Sequence, residues 1–419
     1  MRQVYHNLCT YSADLFGINS ALYELGGLIV MHDASGCNST YNTHDEPRWY
    51  TMDSMVYVSG LNEKDAILGN DQRIIDDICA VAEKEHPKFI VLSLSVLPAY
   101  MGTDVKGIMR LVEKRTGIPS FGFATNGMDT YVRGAGMAFR AIAERFCPAG
   151  ESRQSGHPDE KTIEAKKTGA QQDAISVNLL GVTPLDFSVN GNVEALEQTV
   201  KEMGFAIQSN WAMGCTLEDL KKAPEADVNL VVSVTGLPVA EYFYEAFGIP
   251  YVIGLPCGEK AIRAMREKIL HAFQTKTCGS IFDAAGPEES VEKCEIDHER
   301  EKAYSTKKKD YYRLVGEPVH CASFRYYLEN ELGAADVKIL CPMEEDGGIL
   351  RKSDAHATGE EAIEAFLNSG SVVIGDPVYR RVVKDEIIFI DDPHDAYSGR
   401  MYHDRGWVFI GRQIREKIM

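Results

Sequence analysis

The sequence predicts an α/β protein made of three Rossmann-like parallel-sheet domains around a central cleft. Three observations carry this. The strand candidates are short, continuous apolar runs, as expected of strands buried on both faces. A stretch with helical spacing follows nearly every run. Two polar, charged stretches then divide the alternation into three blocks.

The first domain spans 1–150. Its strands are GLIVMH (27–32), KFIVLSLSV (88–96) and IPSFGFAT (118–125). IIDDICAVAEKEH (74–86) is a helix that stops before Pro87, and TDVKGIMRLVEKRTG (103–117) is one that ends on glycine. DTYVRGAGMAFRAIAERF (129–146) closes the domain. Residues 151–173 are polar and poor in large apolar side chains, and read as a linker. The second domain, 174–282, alternates strands at 175–182, 205–210, 228–234 and 250–256 with helices at 193–204, 239–248 and 259–276. Residues 283–314 read as a charged helical connection. The third domain, 315–419, is predicted to open with a strand at EPVHCA (317–322), then a helix at 324–333. Strands at 336–342, 371–376 and 386–391 and a helix at 359–370 complete it.

Lys plus Arg total 44 against 62 Asp plus Glu, a net charge of -18. That balance argues against nucleic acid or an anionic membrane as the main partner. No run approaches the roughly 20 apolar residues of a bilayer span. The start, MRQVYHNLCTYSADLFG, has neither the basic nor the apolar region of a secretion signal. The expected location is therefore cytoplasmic, where ten cysteines are not expected to pair as disulfides. The motifs GxxxxGK[ST], GxGxxG, HExxH, CxxC and GxSxG are absent. The GxG at 134–136 lies in mid-helix, where close packing accounts for it.

Two cysteines stand in distinctive surroundings. Cys9 precedes an amphipathic helix that starts at Ser12 or Asp14. Cys37 follows a strand directly, in a turn marked by Asp33, Ser35 and Gly36. Strand-end turns face the crevices where α/β proteins bind ligands, and thiolates are the usual iron–sulfur ligands. Spacing alone leaves buried, inert cysteines as the commoner reading. Two ligands per chain also fall short of the usual four, unless a two-fold interface supplies each ligand twice.

The order of motifs adds a resemblance. LCTYSADLFGI (8–18) is similar to the "GCAY.G…GA" segment of nitrogenase component 1 and its relatives, and HDASGC (32–37) to their "HGPxGC". MDSMVYVSGLNEKDAILGNDQRI (52–74) matches their "TTDLNExDxxxGxxxxL", with Leu61, Asn62, Glu63, Asp65 and Gly69 in place. VLPAYMGTD (96–104) answers "CPxxxxGDD", VNLLG (177–181) answers "VNxxG", and HDAYSGRMYHDRG (394–406) answers "H…YSGPYHG…G".

The resemblance implies that Cys9 and Cys37 are cluster ligands. The third family cysteine falls on Val96, beside Ser95, so an eight-iron cluster on three cysteines per subunit is not expected. A [4Fe–4S] cluster shared between two subunits is, within a homodimer or with a paralogous component 1 subunit. The cysteine that suspends the nitrogenase cofactor falls near Val232–Ser233, and a further pocket histidine falls near Met137, so both are lost. His394 or His403 occupies the histidine region. The pattern looks like the branch that reduces a bound organic substrate, often a tetrapyrrole.

The implied function is an oxygen-sensitive, nitrogenase-like oxidoreductase subunit. A separate ATP-hydrolysing iron protein would supply electrons, in keeping with the absent phosphate loop. The candidate catalytic residues are His394 and His403, since histidine titrates near working pH. The candidate cofactor-binding residues are His32, which can orient the cluster turn, Gly36 and Cys257. The alternative is a non-enzymatic scaffold or carrier for a metal cofactor or a tetrapyrrole.

Overall fold

The computed structural model describes residues 6–34, 36, 38, 41, 46–149, 174–283, 311–412 and 414. Cys37, the 151–173 linker and nearly all of the 283–314 connection lie outside them.

Helix α1 (Asp14–Leu22) leads into strand β1 (Leu28–His32). The N-terminal sheet adds β2 (Val56–Val58), β3 (Ile90–Leu94) and β4 (Ser120–Phe123), in the order β2-β1-β3-β4. Helices α2 (Glu63–Leu68), α3 (Asp71–Glu85), α4 (Val96–Met101), α5 (Val105–Thr116) and α6 (Tyr131–Phe146) connect and cover it. Period-two alternation sorts β1 between two cores. Leu28 and Val30 pack with Ile74, Ile78, Ile108 and Val112. Ile29 instead joins an apolar cluster that runs on through Leu179 to Leu314 and ties all three sheets together.

The middle sheet contains β5 (Ser176–Leu180), β6 (Ala206–Asn210), β7 (Val228–Val231), β8 (Tyr251–Ile253) and β9 (Gly279–Ser280), ordered β6-β5-β7-β8-β9. The third contains β10 (Tyr311–Val315), β11 (Asp336–Cys341), β12 (Ala355–His356), β13 (Val372–Gly375) and β14 (Ile388–Asp391), ordered β12-β11-β10-β13-β14. All strand pairs in the three sheets are parallel. This is the α/β architecture that the apolar runs imply. The chain reverses its winding direction between β1 and β3, between β5 and β7, and between β10 and β13. Each reversal opens a crevice at the carboxyl ends of those strands.

Two local expectations are corrected. EPVHCA is no strand: a single helix, Pro318–Asn330, replaces the predicted strand and helix. Glu317 caps that helix by accepting the His320 N–H, and Pro318 takes the first turn, where its missing donor costs nothing. The strand is YYRLV just upstream. The run at 88–96 also ends early, at Leu94, and Ser95 precedes the six-residue α4.

The GxG of α6 is a packing feature, as expected. A methyl group at Gly134 would overlap the Asp14 carbonyl of α1, and one at Gly17 the Tyr131 carbonyl. A buried ionic node holds the chain beyond the Cys37 turn. Arg48 donates to Glu46 through Nε (2.7 Å), to Glu24 through a terminal nitrogen (2.9 Å) and to the Ser20 carbonyl (2.8 Å). Ser20 and Tyr41 hydroxyls complete the Glu46 carboxylate.

Candidate functional site

The first crevice lies where β1 and β3 end side by side, with His32 paired to Leu94. Asp33 follows one strand and Ser95 the other, and the Ser95 hydroxyl donates to Asp33 Oδ1 at 2.6 Å. Ser59, just beyond β2, joins both ends. Its Oγ lies 2.7 Å from His32 Nδ1, accepts the Asp33 N–H at 3.1 Å and donates to the Asp33 carbonyl at 3.2 Å. With its single proton so used, Ser59 accepts from a ring that carries hydrogen on Nδ1. Burial lowers the His32 pKa, against the pull of Asp71 and Asp33. His32 thus fastens the turn as a neutral ring. Asp33 Oδ2 is buried without a hydrogen-bond partner among the described residues. Gly36 stands exposed in the same turn.

Cys9 is held against the third domain. Its segment crosses the third domain before entering α1. The Ser12 N–H donates to the Ala396 carbonyl at 2.7 Å, and Cys9 Sγ lies 3.5 Å from the Tyr397 carbonyl. The residue is exposed, but its sulfur is tucked under that carbonyl. Partial withdrawal from water raises the thiol pKa and Asp376 adds to this, against the contact with Tyr397. Val96, where the family's third cysteine falls, opens α4 half exposed. Leu97, Tyr100 and Met101 are exposed beside it.

The other two crevices meet in a buried acidic junction. Beyond β5 comes Asp186 and beyond β7 comes Ser233. Beyond β10 lies Glu317 and beyond β13 Asp376. Asp186 Oδ2 accepts from the Ser233 hydroxyl (2.8 Å) and the Thr183 hydroxyl (3.0 Å), and Oδ1 accepts from the Tyr131 hydroxyl. His394 Nε2 lies 3.3 Å from the same Oδ1, off the line of a hydrogen bond, and the ring sits between Tyr11 and Tyr131. Burial pulls the His394 pKa down, but the Asp186 carboxylate outweighs it and the net shift is upward. Glu317 accepts the Val234 and His320 N–H groups, at 2.8 and 2.7 Å. Burial, reinforced by Asp186, pushes its carboxyl up to about 7.

The sequence-predicted residues are therefore not gathered at one place. His32 and Gly36 border the first crevice, beside Ser95, and Cys9 rests on the third domain. His394 belongs to the acidic junction. His403 lies apart on another carboxylate: its Nδ1 is 3.2 Å from Ser188 Oγ and 3.6 Å from Asp395 Oδ2, and Asp395 raises its pKa. Cys257 is fully buried where the chain bridges to Gly411, and burial drives its thiol pKa well up. Cys321 is likewise buried, its sulfur facing Gly316.

The cluster and a cleft cofactor fare differently against these residues. Cys9, a free cysteine on an exposed residue, can supply one thiolate of a four-thiolate set, and Cys37 lies outside the described residues. A metal cofactor hung between the Val232–Ser233 and His394 positions does not fit. The Asp186 carboxylate already bridges them, and Val232 is a buried apolar residue. Sequence reasoning missed Asp186, Glu317 and Asp376. The available signal was an acid just past an apolar run and next to proline, as in Glu317–Pro318 and Asp376–Pro377, but that reads equally as a helix cap.

Three doubly wound parallel sheets joined by one apolar core define the class as an α/β protein. Residues 26–351 match the profile of the nitrogenase component 1 type oxidoreductases. The chain belongs to that family. It is 23% identical over 321 residues to a subunit of the light-independent protochlorophyllide reductase of Nostoc punctiforme, covering 74% of this chain and 59% of that protein. It is 25% identical over 206 residues to the nitrogenase iron-molybdenum cofactor biosynthesis protein NifE of Methanosarcina barkeri, covering 47% and 40%. The solved nitrogenase Cp1 at pH 6.5 superposes with a TM-score of 0.65 at 14% identity, covering 94% and 87%, a likeness of fold. The chain spans between about a third and three fifths of the length of the curated relatives it matches. No helix among the described residues is long and apolar enough to cross a membrane.

Proposed function

We propose that this chain is a reductase subunit that holds an intersubunit [4Fe–4S] cluster through Cys9 and Cys37 and takes electrons from a separate ATP-hydrolysing iron protein. The observation that carries the reading is the seat of Cys9: an exposed residue whose sulfur is held at the Tyr397 carbonyl, with apolar Val96 where the resemblance puts a third ligand. When bound, the cluster supplies single electrons. The second subunit is another copy of this chain or a paralogue.

This chain's own residues do the rest. Ser59 ties His32 to Asp33 at the end of β1, shortly before Cys37 in sequence, and Ser95 holds the Asp33 carboxylate. At the acidic junction, His394, with Nε2 3.3 Å from Asp186 Oδ1, is the group that would give a proton to an organic substrate. Glu317, poised near neutrality, is a second proton store behind it.

The test is anaerobic expression, iron quantification and electron paramagnetic resonance after dithionite. A colourless dimer whose Cys37→Ala variant binds as much iron as the native chain would end the proposal. The match to NifE keeps a carrier reading alive. A carrier would bind its ligand but give no ATP-dependent product with the cognate iron protein.

A further inference from the structure

The segment 6–12 belongs in sequence to the first domain but rests on the third. Its anchor is Glu360, the first residue of the helix Glu360–Leu367, and it is 6% exposed. Glu360 Oε2 accepts the main-chain N–H groups of three consecutive residues: His6 at 2.7 Å, Asn7 at 2.9 Å and Leu8 at 3.1 Å. Oε1 accepts the Asn7 N–H at 3.1 Å and the Asn7 side-chain amide at 3.2 Å. Successive N–H groups wrapped on one oxygen form a concave anion nest, and bonds to an ionised acceptor are about twice as strong as neutral ones.

A second anchor follows Cys9. The Tyr11 and Tyr379 hydroxyls lie 3.3 Å apart, the Tyr11 and Tyr397 rings stack at 4.5 Å, and Ser12 bonds to Ala396. Cys9 is thus suspended between two clamps, both from the third domain. Without the first clamp, residues 6–8 lose their hold on the third domain one residue from the thiol.

We infer that Glu360 is a positioning residue for the Cys9 thiolate, so that docking of the third domain sets the geometry of one cluster ligand. The inference rests on the reading that Cys9 binds the cluster. Glu360 touches no ligand itself and acts through the backbone of residues 6–8.

The experiment uses the full chain carrying Glu360→Gln or Glu360→Ala, with Glu361→Gln as the neighbouring control and Cys9→Ala as the reference for ligand loss. Glu360→Gln is isosteric, and circular dichroism and gel filtration check the fold. After anaerobic reconstitution, both Glu360 variants are expected to lose iron to a chelator about tenfold faster than the native chain, a usual penalty for removing support behind a metal ligand. The g-values of the dithionite-reduced cluster are expected to move, whereas Glu361→Gln behaves as native. In the iron-free protein, alkylation of Cys9, read by peptide mass spectrometry, is expected to accelerate several-fold in the Glu360 variants.

The alkylation arm separates this inference from the reading beneath it. If the native chain takes up no cluster, or Cys9→Ala keeps it, the cluster reading fails while faster Cys9 alkylation still upholds Glu360 as its clamp. Unchanged alkylation in both folded variants overturns the clamp, whatever the iron content. Unchanged chelation and unchanged g-values in a cluster-bearing Glu360→Ala chain overturn its role in cluster geometry.

Discussion

Asp186 Oδ1 and His394 Nε2 lie 3.3 Å apart at a buried junction between the middle and third domains. Their proximity reverses what burial alone would do to the imidazole. A histidine raised in the folded state contributes stability that is fully present below its unfolded pKa, about 6.5, and is lost as pH rises through the folded value. Asp186→Asn removes the largest opposing charge and leaves burial with only Asp376 and Asp392 against it. The variant is expected to lose this acid-side stabilisation and about 3 kcal/mol in all, as when one member of a buried pair is removed. Denaturant melts between pH 5 and 8 measure both, and a melt that parallels the native pH dependence would refute the pairing.

Glu317 works through burial rather than pairing. Its carboxyl stands at about 7, above its unfolded value, so the native fold favours the neutral form. Stability is fully present below the unfolded pKa and declines as pH rises through about 7. Glu317→Gln cannot ionise, so the slope contributed by this group should vanish. Because the amide offers one acceptor oxygen where the carboxylate caps with two, the variant should start about 1 kcal/mol less stable at acid pH. Thermal unfolding across pH 4 to 8 gives the two curves. Parallel curves would contradict the shift.

Val96 sits half exposed at the start of α4, where a thiol can be accommodated without repacking. A four-cysteine cluster binds about four irons per dimer. Val96→Cys should raise iron per dimer above that and alter the spectrum of the reduced protein. Equal iron in the two proteins would place residue 96 away from the cluster.

Arg48→Ala strips the buried Glu46 and Glu24 carboxylates of their cation. Uncompensated buried charge costs about 4 kcal/mol. A drop in urea midpoint of that size is expected, with faster proteolysis near residue 46. A loss below about 1 kcal/mol, the scale of a surface ion pair, would show that the node contributes little to the fold.

The overall architecture was legible because a parallel sheet buried on both faces writes unbroken apolar runs, and Leu28–His32, Ile90–Leu94 and Val228–Val231 lie inside such runs. The opening of the third sheet was not. Tyr311–Val315 adjoins a charged stretch, while Val319 to Ala322 imitates a strand within a capped helix. At the first crevice Ser95 was read as part of the strand run, whereas the turn after β1 was legible because Asp33 and Gly36 mark it. Asp186, Glu317 and Glu360 were not, because their partners lie 47, 83 and about 350 residues away in sequence. No periodicity encodes such contacts.

The seat of Cys9 also fixes an order in time. The ribosome delivers this cysteine long before Glu360, Tyr379 and Tyr397. Contacts of such long range also form slowly once the chain is free. Until those residues have emerged and docked, the Cys9 thiol is unseated. Ribosome-arrested chains ending before residue 360 should accordingly show Cys9 open to alkylation.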